Sequence, residues 1–354
     1  MDTMTTGPPL ILGIGARTPL GFDRAASAAA VRCGISAIAE HPSMIDRFGM
    51  PMKVTRDAAL DVALAGPERL AALTLAAAAE ALAPLAGVPS LPPITIALSL
   101  GEQRPGQGPQ TGAAVADAIR SRLDASLDPN RILHWMGGHA GGIMAMEAAG
   151  RLIASGRAGL VLAGGVDSYL AADTLEWLDE TEQLHSDDNI YGFCPGEAAG
   201  FVLMAAPETA RRLGLSPLLQ VAGIGSGIET NLIRTEDIVL GDGLAEAFRG
   251  ARAGLDPDRP VDQILCDMNG ERYRGNEYGF AVLKSAGLFR DAADFIAPAD
   301  CWGDVGAASG PLCVALVAEA VARGYSKGPL SLIWASSAAG QRAAAILRQP
   351  EDRR

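Results

Sequence analysis

The sequence is poor in aromatic side chains, which make up 5% of its 354 residues, although hydrophobic residues as a whole make up 49%. A core of this composition is built from small aliphatic side chains, which allow helices and strands to approach one another closely. We therefore expect layered α/β packing. The chain is long enough for one large domain or for two of ordinary size.

The number and spacing of the cysteine and basic residues argue against a disulfide-rich, a zinc-binding or a nucleic-acid-binding protein. The five cysteines, at positions 33, 194, 266, 301 and 313, form no C-x-x-C pair, which argues against a disulfide framework and against a zinc site. Lysine and arginine total 29 against 41 aspartate and glutamate residues, which gives a net charge of -12. Because nucleic-acid binding needs a basic face, we expect no nucleic-acid partner.

The sequence also lacks the features of a secreted or membrane-spanning protein. Its first ten residues, MDTMTTGPPL, contain neither a basic region nor a continuous apolar run, so we expect no signal peptide. The most apolar helical segment, LAALTLAAAAEALAPLAGV, is mostly alanine and includes Glu80 and Pro84, so it is too weakly apolar for a membrane span. We expect a cytoplasmic protein without a membrane span.

The usual cofactor and nucleophile motifs are absent as well. There is no P-loop, no G-x-S-x-G turn and no H-E-x-x-H pair. The glycine-rich stretches GIGARTPLG and GIGSGIE match only fragments of a dinucleotide-binding fingerprint, and a turn at the end of a strand explains them better. His134 and His139 have no nearby acidic ligand set. The sequence therefore predicts no cofactor and no metal.

Short apolar strands alternate with helices along the whole chain, which predicts an α/β protein with parallel strand pairing and right-handed crossovers. The longest helices are predicted at 68–86, 140–155 and 305–323. Two apolar strands, LILGIG and LLQVAGIG, end in the same G-I-G turn, which indicates a duplicated unit. We expect an N-terminal half at 1–215 and a C-terminal half at 216–354, packed as one body because no low-complexity linker separates them.

Several stretches resemble the ketosynthases, the thiolase-fold condensing enzymes of fatty acid and polyketide synthesis. The nucleophile turn of that family, its following helix and its V-L-A-G-G strand are similar to GGHAGGIMAMEAAGRLIASGRAGLVLAGGVDS. Further family segments resemble, in order, LILGIGARTPLG, GFCPGEAAGFVLM, DVGAASGPL and LIWASSAAGQRAAAIL, which together extend over nearly the whole chain. The resemblance implies a thiolase-like fold of five αβαβα layers from two duplicated halves, with two mixed sheets around buried helices, and a dimer.

The catalytic positions of the family carry other residues here. The resemblance places His139 at the nucleophilic cysteine, Asn269 at the first histidine, Gly303 near the second histidine and Pro298 at a lysine. Acyl transfer through an enzyme needs a thiolate or another good nucleophile, together with donors for the oxyanion. His139 lies at a helix N-terminus, which disfavours a cationic ring, so we expect a neutral imidazole.

Other polar residues near these positions have both a structural and a functional interpretation. We interpret Cys194 and Glu197 as a buried thiol beside a structural carboxylate, because no cation or helix N-terminus is present in this stretch to activate the thiol. The charged stretch NGERYRGNE, which includes Arg274 and Glu277, predicts a solvated cluster or a self-paired ion network, or else a new ligand or docking site. The candidate pocket comprises His139, Cys194, Glu197, Glu271, Arg272, Cys301 and Asp304.

Two functions remain open at this point. An intact fold with an altered site favours a ketosynthase-like pseudoenzyme, either a homodimer or a heterodimer with a related subunit, that binds a protein partner or an acyl-like ligand without condensing anything. The resemblance implies that this partner is an acyl carrier protein, a ketosynthase or a bacterial secretion-system effector. The alternative is an atypical acyltransferase or thioester-processing enzyme that uses His139 or Cys301.

Overall fold

The computed structural model describes residues 7–123, 127–233, 235 and 237–350, the side chains of residues 127–130 excepted. The strands are β1 (Leu10–Arg17), β2 (Ala39–Ile45), β3 (Pro51–Val54), β4 (Ile94–Leu100), β5 (Leu127–Met136), β6 (Leu160–Ser168), β7 (Glu197–Ala205), β8 (Leu219–Ile228), β9 (Gln263–Cys266), β10 (Phe295–Ile296), β11 (Leu330–Ser336) and β12 (Gln341–Arg348). The helices are α1 (Arg24–Arg32), α2 (Gly66–Leu82), α3 (Thr111–Arg122), α4 (Gly138–Ala154), α5 (Ala172–Glu180), α6 (Pro207–Leu213), α7 (Asp242–Arg252), α8 (Arg272–Lys284), α9 (Ala299–Trp302) and α10 (Ser309–Ala322). Short 3₁₀ turns follow α2 and precede α10, at Ala83–Leu85 and Gly306–Ala308.

Local sequence signals set the ends of several helices. Asp23 caps α1, because its side chain accepts a hydrogen bond of 2.7 Å from the backbone N–H of Ala26. Gly34 follows that helix with φ of 67°, a conformation that glycine adopts without strain. Helix α6 begins at Pro207 and is followed by Gly214 in the left-handed conformation. Proline at the start and glycine at the end are the residues these positions favour.

Ten strands form one sheet in the order β10-β9-β11-β12-β8-β1-β7-β6-β4-β5. The sheet consists of two five-stranded halves, which meet where β1 pairs with β8 through Leu10 with Gln220 and Ile11 with Leu219. When the strands of each half are numbered along the chain, both halves have the order 3-2-4-5-1. This repetition agrees with a duplicated unit, and the boundary after residue 215 stays a prediction.

The expectation of parallel pairing is wrong for part of the sheet. Strand β4 is parallel to β5 and β6, and β9 is parallel to β10 and β11. Strand β7 is antiparallel to β1 and β6, and β12 is antiparallel to β8 and β11. The four residues between β11 and β12 are too few for a helical crossover. Helix α5 packs against β3 instead of crossing the sheet between β6 and β7.

Helices α4 and α10 lie side by side between the two halves of the sheet. Helix α4 contacts β4 and β6 on one side and β11 and β12 on the other, and α10 contacts β7 and β11. Helices α2 and α3 cover the outer face of the first half, and α7 with α8 covers the second half. This confirms the five αβαβα layers. Alanines fill much of the central layer, together with Ile143, Met146, Leu312 and Val314, none more than 1% exposed.

The β2–β3 hairpin and the short helices α6 and α9 have no counterpart among the predicted elements. Strand β2 is mostly exposed and contains Pro42, so it lacks the alternating pattern of a half-buried strand. An isolated hairpin of this kind depends on packing against the rest of the protein. Within the described residues, no helix is both long enough and apolar enough to cross a membrane.

Candidate functional site

A cavity of about 60 Å³ lies at the centre of the molecule, where the carboxyl ends of β4 and β6 meet the N-terminus of α4. Because these strands are parallel, residues that follow them are brought to the same edge of the sheet. The cavity is lined mainly by charged and aromatic side chains, and its lining residues are Glu102, Gln103, Arg104, Gly138, His139, Asp167, Tyr169, Trp177, Leu178, Gln183, Phe193, Ile233, Glu271, Tyr273, Arg274, Asp304 and Ala338.

His139 is the second residue of α4 and is only 6% exposed. The start of the helix is held by Ser337 from the other half of the sheet. The Ser337 hydroxyl accepts a hydrogen bond of 2.9 Å from the N–H of Ala140 and donates one of 2.7 Å to the carbonyl of Gly137. Gly138 adopts φ of 60°, which turns the chain into the helix. The position of His139 is therefore fixed by both halves of the molecule.

The ring of His139 is paired with the carboxylate of Asp304. Its Nε2 lies 2.8 Å from Oδ1 and 2.9 Å from Oδ2 of that carboxylate. The same carboxylate accepts hydrogen bonds from Nδ2 of Asn269, at 2.5 Å, and from the N–H of Gly306, at 2.9 Å. His139, Asp304 and Asn269 therefore form one connected network. Two of its members, His139 and Asn269, are residues that the resemblance predicts at catalytic positions of the family.

The Asp304 carboxylate favours a protonated His139. Burial lowers the pKa of His139, but Asp304 raises it by more, so that this pKa lies above its ordinary value of 6.5. Burial alone would raise the pKa of Asp304, and His139 and Arg274 together hold it well below its ordinary value of 3.8. The expectation of a neutral imidazole stays a prediction, and the direction of this pKa shift is opposed to it.

Arg274 connects this network to two further carboxylates. It is 2% exposed, and its Nη1 lies 2.6 Å from Oδ2 of Asp267 while its Nε lies 3.2 Å from Oε2 of Glu271. It also donates to the carbonyl of Ser336, and its Nη2 lies 3.2 Å from Nε2 of His139. Buried ion pairing thus applies to Arg274, whereas other residues of the stretch 269–277 are exposed, so neither interpretation describes the whole stretch.

A second buried ion pair lies on another wall of the cavity. Arg104 Nη2 lies 2.5 Å from Oδ1 of Asp167 and donates to the carbonyl of Ser168, and its guanidinium lies 4.1 Å from the ring centre of Tyr169. A buried charge is costly unless it is paired and hydrogen-bonded. These ion pairs neutralise the guanidinium charge, but within the described residues Nε of Arg104 and Nδ1 of His139 are buried without a hydrogen-bond partner.

The structure brings His139, Glu271 and Asp304 together as lining side chains of the cavity, and Asn269 contacts Asp304 beside them. Gly303 has φ of 73° and contributes no side chain, so the carboxylate at this point of the network comes from the next residue. Four other residues of the predicted pocket are not among the cavity's lining residues: Cys194, Glu197, Arg272 and Cys301.

Cys194 and Glu197 have the structural roles that the sequence suggested. The carbonyl of Cys194 accepts a hydrogen bond of 2.7 Å from the N–H of Asp304, and burial raises the pKa of its thiol to about 12. Glu197 is fully buried and forms two hydrogen bonds with Arg69, of 2.5 and 2.7 Å. It also accepts one from the N–H of Asp57. These contacts fix the loops that surround the cavity.

Arg272 and Cys301 lie outside the cavity for different reasons. Arg272 is exposed, and its guanidinium lies 5.6 Å from the ring centre of Tyr191. Cys301 is buried in the short helix α9, where its carbonyl accepts a hydrogen bond from the N–H of Ala37. Burial raises the pKa of the Cys301 thiol, which disfavours the reactive thiolate.

Arg104, Asp167 and Asp267 belong to the site as well, although no sequence motif marks them. Each of them lies within or just beyond the carboxyl end of a strand that pairs in parallel with a neighbour: β4, β6 and β9. Polar residues at this edge are the usual components of sites in sheets with parallel strands. This position is the signal that could have identified them.

The residue types on the cavity wall limit the chemistry that this arrangement can perform. A histidine paired with a carboxylate can act as a general base, but the residues that line the cavity include no serine, cysteine, threonine or lysine. The cavity is also much smaller than the roughly 300–1,000 Å³ of ordinary ligand pockets. In the described part of the chain, no group of histidine, cysteine and acidic side chains could hold a metal ion.

Comparisons with known proteins agree with this architecture. Residues 137–210 match the family model of the N-terminal domain of beta-ketoacyl synthases. A search of curated proteins finds no match. A solved complex of a type II polyketide acyl-carrier protein with its ketosynthase, bound to a hexaketide, has a chain that is 14% identical with a TM-score of 0.76, over 98% of this chain and all of that one.

Two further solved structures are similar over nearly their whole length. The ishigamide ketosynthase/chain length factor is 23% identical with a TM-score of 0.69, over 97% of this chain and 99% of that one. A beta-ketoacyl synthase from Burkholderia phymatum is 17% identical with a TM-score of 0.74, over 97% of this chain and all of that one. The chain therefore has the thiolase-like fold of the ketosynthases.

Proposed function

We propose that this protein is a non-condensing, ketosynthase-like subunit that functions by assembling with a ketosynthase. The single observation that carries the proposal is the network of His139, Asp304 and Asn269 at the centre of the fold. A ketosynthase needs a nucleophile and oxyanion donors at this place, and here the side chains are paired with one another. The fold is retained while the reactive groups are not.

The size and electrostatics of the cavity support the same conclusion. A cavity of about 60 Å³ accommodates a few water molecules and not an extended acyl chain. Enlarging the cavity would require Arg274 to separate from Asp267 or Asp304 to separate from His139. Either change would leave buried charges unpaired. The protein is thus suited to a role that depends on its surfaces.

Our choice of partner follows from the relatives. One similar structure is a ketosynthase paired by name with a chain length factor, and another holds a ketosynthase with its acyl-carrier protein. A subunit that has lost the chemistry but kept the fold can still form a dimer interface like that of a ketosynthase. The residues of such an interface lie on the surface, apart from the reactive groups in the interior. We therefore place a ketosynthase ahead of a carrier protein or a secreted effector.

Co-expression tests the proposed partner directly. The protein is produced together with each ketosynthase of its source organism in turn, and the mass of the purified product is measured by native mass spectrometry. We expect a one-to-one heterodimer that survives dilution. Recovery of the two proteins only as separate homodimers would contradict the proposal.

The alternative of a thioester-processing enzyme receives less support. His139 is held by Asp304, and Cys301 does not line the cavity. Neither residue has both an accessible nucleophilic atom and space for a thioester beside it. The non-catalytic role therefore remains our proposal.

A further inference from the structure

We propose that a surface groove away from the central cavity docks a peptide segment that carries both basic and large apolar side chains, contributed by a partner protein. We call it the hairpin groove. It has a volume of about 240 Å³ and lies between the β2–β3 hairpin and residues 179–189. This inference does not depend on the proposed ketosynthase partner.

The hairpin groove has large apolar side chains on its walls and at its edge. Phe48 and Met50 line it and are 57% and 61% exposed, and the adjoining Ile45 and Ile190 are each 63% exposed. Single exposed apolar residues are normal on protein surfaces. Several around one concave site are characteristic of a binding surface.

The rim of the hairpin groove carries excess negative charge, which determines the chemistry of the occupant. Its acidic residues outnumber Arg47 and Lys53 by six to two, and they are Glu40, Asp46, Asp179, Glu182, Asp187 and Asp188. Arg47 and Lys53 are already paired, with Glu182 at 3.0 Å and Asp187 at 3.4 Å. Within the described residues, Glu40 and Asp188 have no ion-pair or hydrogen-bond partner for their carboxylates, and both are exposed.

The groove is held in shape before any partner arrives. Met52 and Val54 of the hairpin are buried with Leu175 and Leu178 of α5 in one apolar cluster. The N–H of Arg47 donates a hydrogen bond of 2.7 Å to Asp179, which joins the tip of the hairpin to the opposite wall. Binding at a preformed site avoids much of the entropic cost of ordering a loop.

Charge complementarity favours a basic partner over a second copy of this chain. Two copies would each bring a net charge of -12 and an acidic rim, which repel each other. Nucleic acids and anionic membranes are excluded by the same repulsion. A lysine or arginine side chain can instead pair with Glu40 or Asp188 while a neighbouring apolar side chain packs against Phe48 and Met50.

Fluorescence anisotropy with defined peptides tests this inference. The probe is a fluorescein-labelled peptide of alternating lysine and leucine, compared with peptides of lysine and serine and of glutamate and leucine. We expect the lysine–leucine peptide to bind with a Kd between about 10 µM and 1 mM, and to bind more weakly as salt increases. The two comparison peptides should bind at least about fivefold more weakly, because each lacks one of the two interactions.

Matched variants locate the binding site. Glu40→Gln with Asp188→Asn should weaken binding at least about fivefold, as should Phe48→Ser with Met50→Ser. The control, Glu208→Gln with Glu246→Gln, removes the same charge from exposed positions outside the groove and should change the Kd less than about twofold.

Several results would overturn the inference. They are absence of binding by the wild-type protein at about 1 mM peptide, equal binding of the lysine–serine peptide, and an equal effect of the control pair. Light scattering of the wild-type protein and of the Phe48→Ser, Met50→Ser variant measures their oligomeric states and tests whether a second copy of the chain occupies the groove. If these substitutions dissociate a wild-type homodimer, a second copy occupies the groove and the proposed peptide does not.

Discussion

The central cavity and the hairpin groove use charge in opposite ways. Around the cavity, Arg274 and Asp304 are nearly inaccessible to solvent and are engaged with partners in the same chain. At the groove, Glu40 and Asp188 are exposed, and the described structure gives them no partner. A buried charge must be paired to be tolerated, whereas an exposed one remains solvated and available. The charges around the cavity are therefore engaged within the chain, whereas those at the groove are available for the proposed partner.

Among the variants that test this comparison, removal of a buried cation should cause the largest loss of stability. Arg274→Met leaves Asp267 and Glu271 without their shared cation, and we expect a loss of about 3–5 kcal/mol in the free energy of unfolding. Urea denaturation followed by circular dichroism measures it. The control is Arg151→Met, because Arg151 pairs with Glu147 at the surface and is 74% exposed. That variant should lose less than about 1 kcal/mol, and equal losses would contradict the comparison.

The pair of His139 and Asp304 should make stability depend on pH in a defined direction. The folded-state pKa of His139 is raised, so its contribution is complete below the unfolded value of about 6.5 and disappears as pH rises through the folded value. The pKa of Asp304 is lowered, so its contribution is present above about 3.9 and disappears as pH falls through the lowered value. The pair thus stabilises the fold most between about pH 4 and 6.5.

His139→Gln tests this dependence. We expect it to cost about 2–4 kcal/mol at roughly pH 5.5 and clearly less at roughly pH 9, from urea denaturation of both proteins at each pH. A cost that does not change between the two conditions would show that His139 contributes packing alone.

Addition of a methyl group within the closely packed central layer should cause a smaller loss of stability. A Cβ atom on Gly142 of α4 would lie 2.5 Å from the carbonyl oxygen of Ala307 and 2.5 Å from Cδ of Pro311. Gly142→Ala should therefore destabilise the protein by about 1–2 kcal/mol, measured as a shift in thermal or urea unfolding. Gly279 of α8 has no atom within 4 Å of such a Cβ, so Gly279→Ala should be neutral or stabilising by up to about 1 kcal/mol. Similar losses in both variants would contradict the tight contact.

Thiol reactivity should distinguish interior from surface without changing stability. Cys33 is exposed, while Cys194, Cys266, Cys301 and Cys313 are buried. In the native protein we expect iodoacetamide to modify Cys33 rapidly and the others only after unfolding, as measured by peptide mass spectrometry. Rapid modification of Cys301 in the native protein would instead support the thioester-processing alternative.

The sequence predicts the long elements of this fold better than its short ones. Helices expected at 140–155 and 305–323 correspond to α4 (Gly138–Ala154) and α10 (Ser309–Ala322), because uninterrupted small and apolar residues dictate a buried helix. The β2–β3 hairpin could not be predicted in this way. Its position depends on the apolar cluster that Met52 and Val54 form with α5, which is distant in sequence.

The candidate site, like the hairpin, depends in part on contacts between residues that are distant in sequence and that local patterns do not predict. The resemblance identifies His139 and Asn269 as positions of interest, and the candidate pocket includes Asp304. The direction of the pKa shift of His139 could not be predicted, because it depends on a carboxylate 165 residues away in sequence. The burial of Arg274 likewise depends on Asp267 and on the carbonyl of Ser336, which only the folded sheet brings together. Local rules describe exposed charges correctly and fail where distant charges neutralise one another.

Incubation of the purified protein with acetyl and malonyl thioesters, followed by intact-mass spectrometry and assay of released thiol and carbon dioxide, tests the central claim most directly. We predict an unchanged mass and no release above the rate without protein, because the network of His139, Asp304 and Asn269 offers no free nucleophile. An acyl adduct or turnover that His139→Ala abolishes would contradict the account.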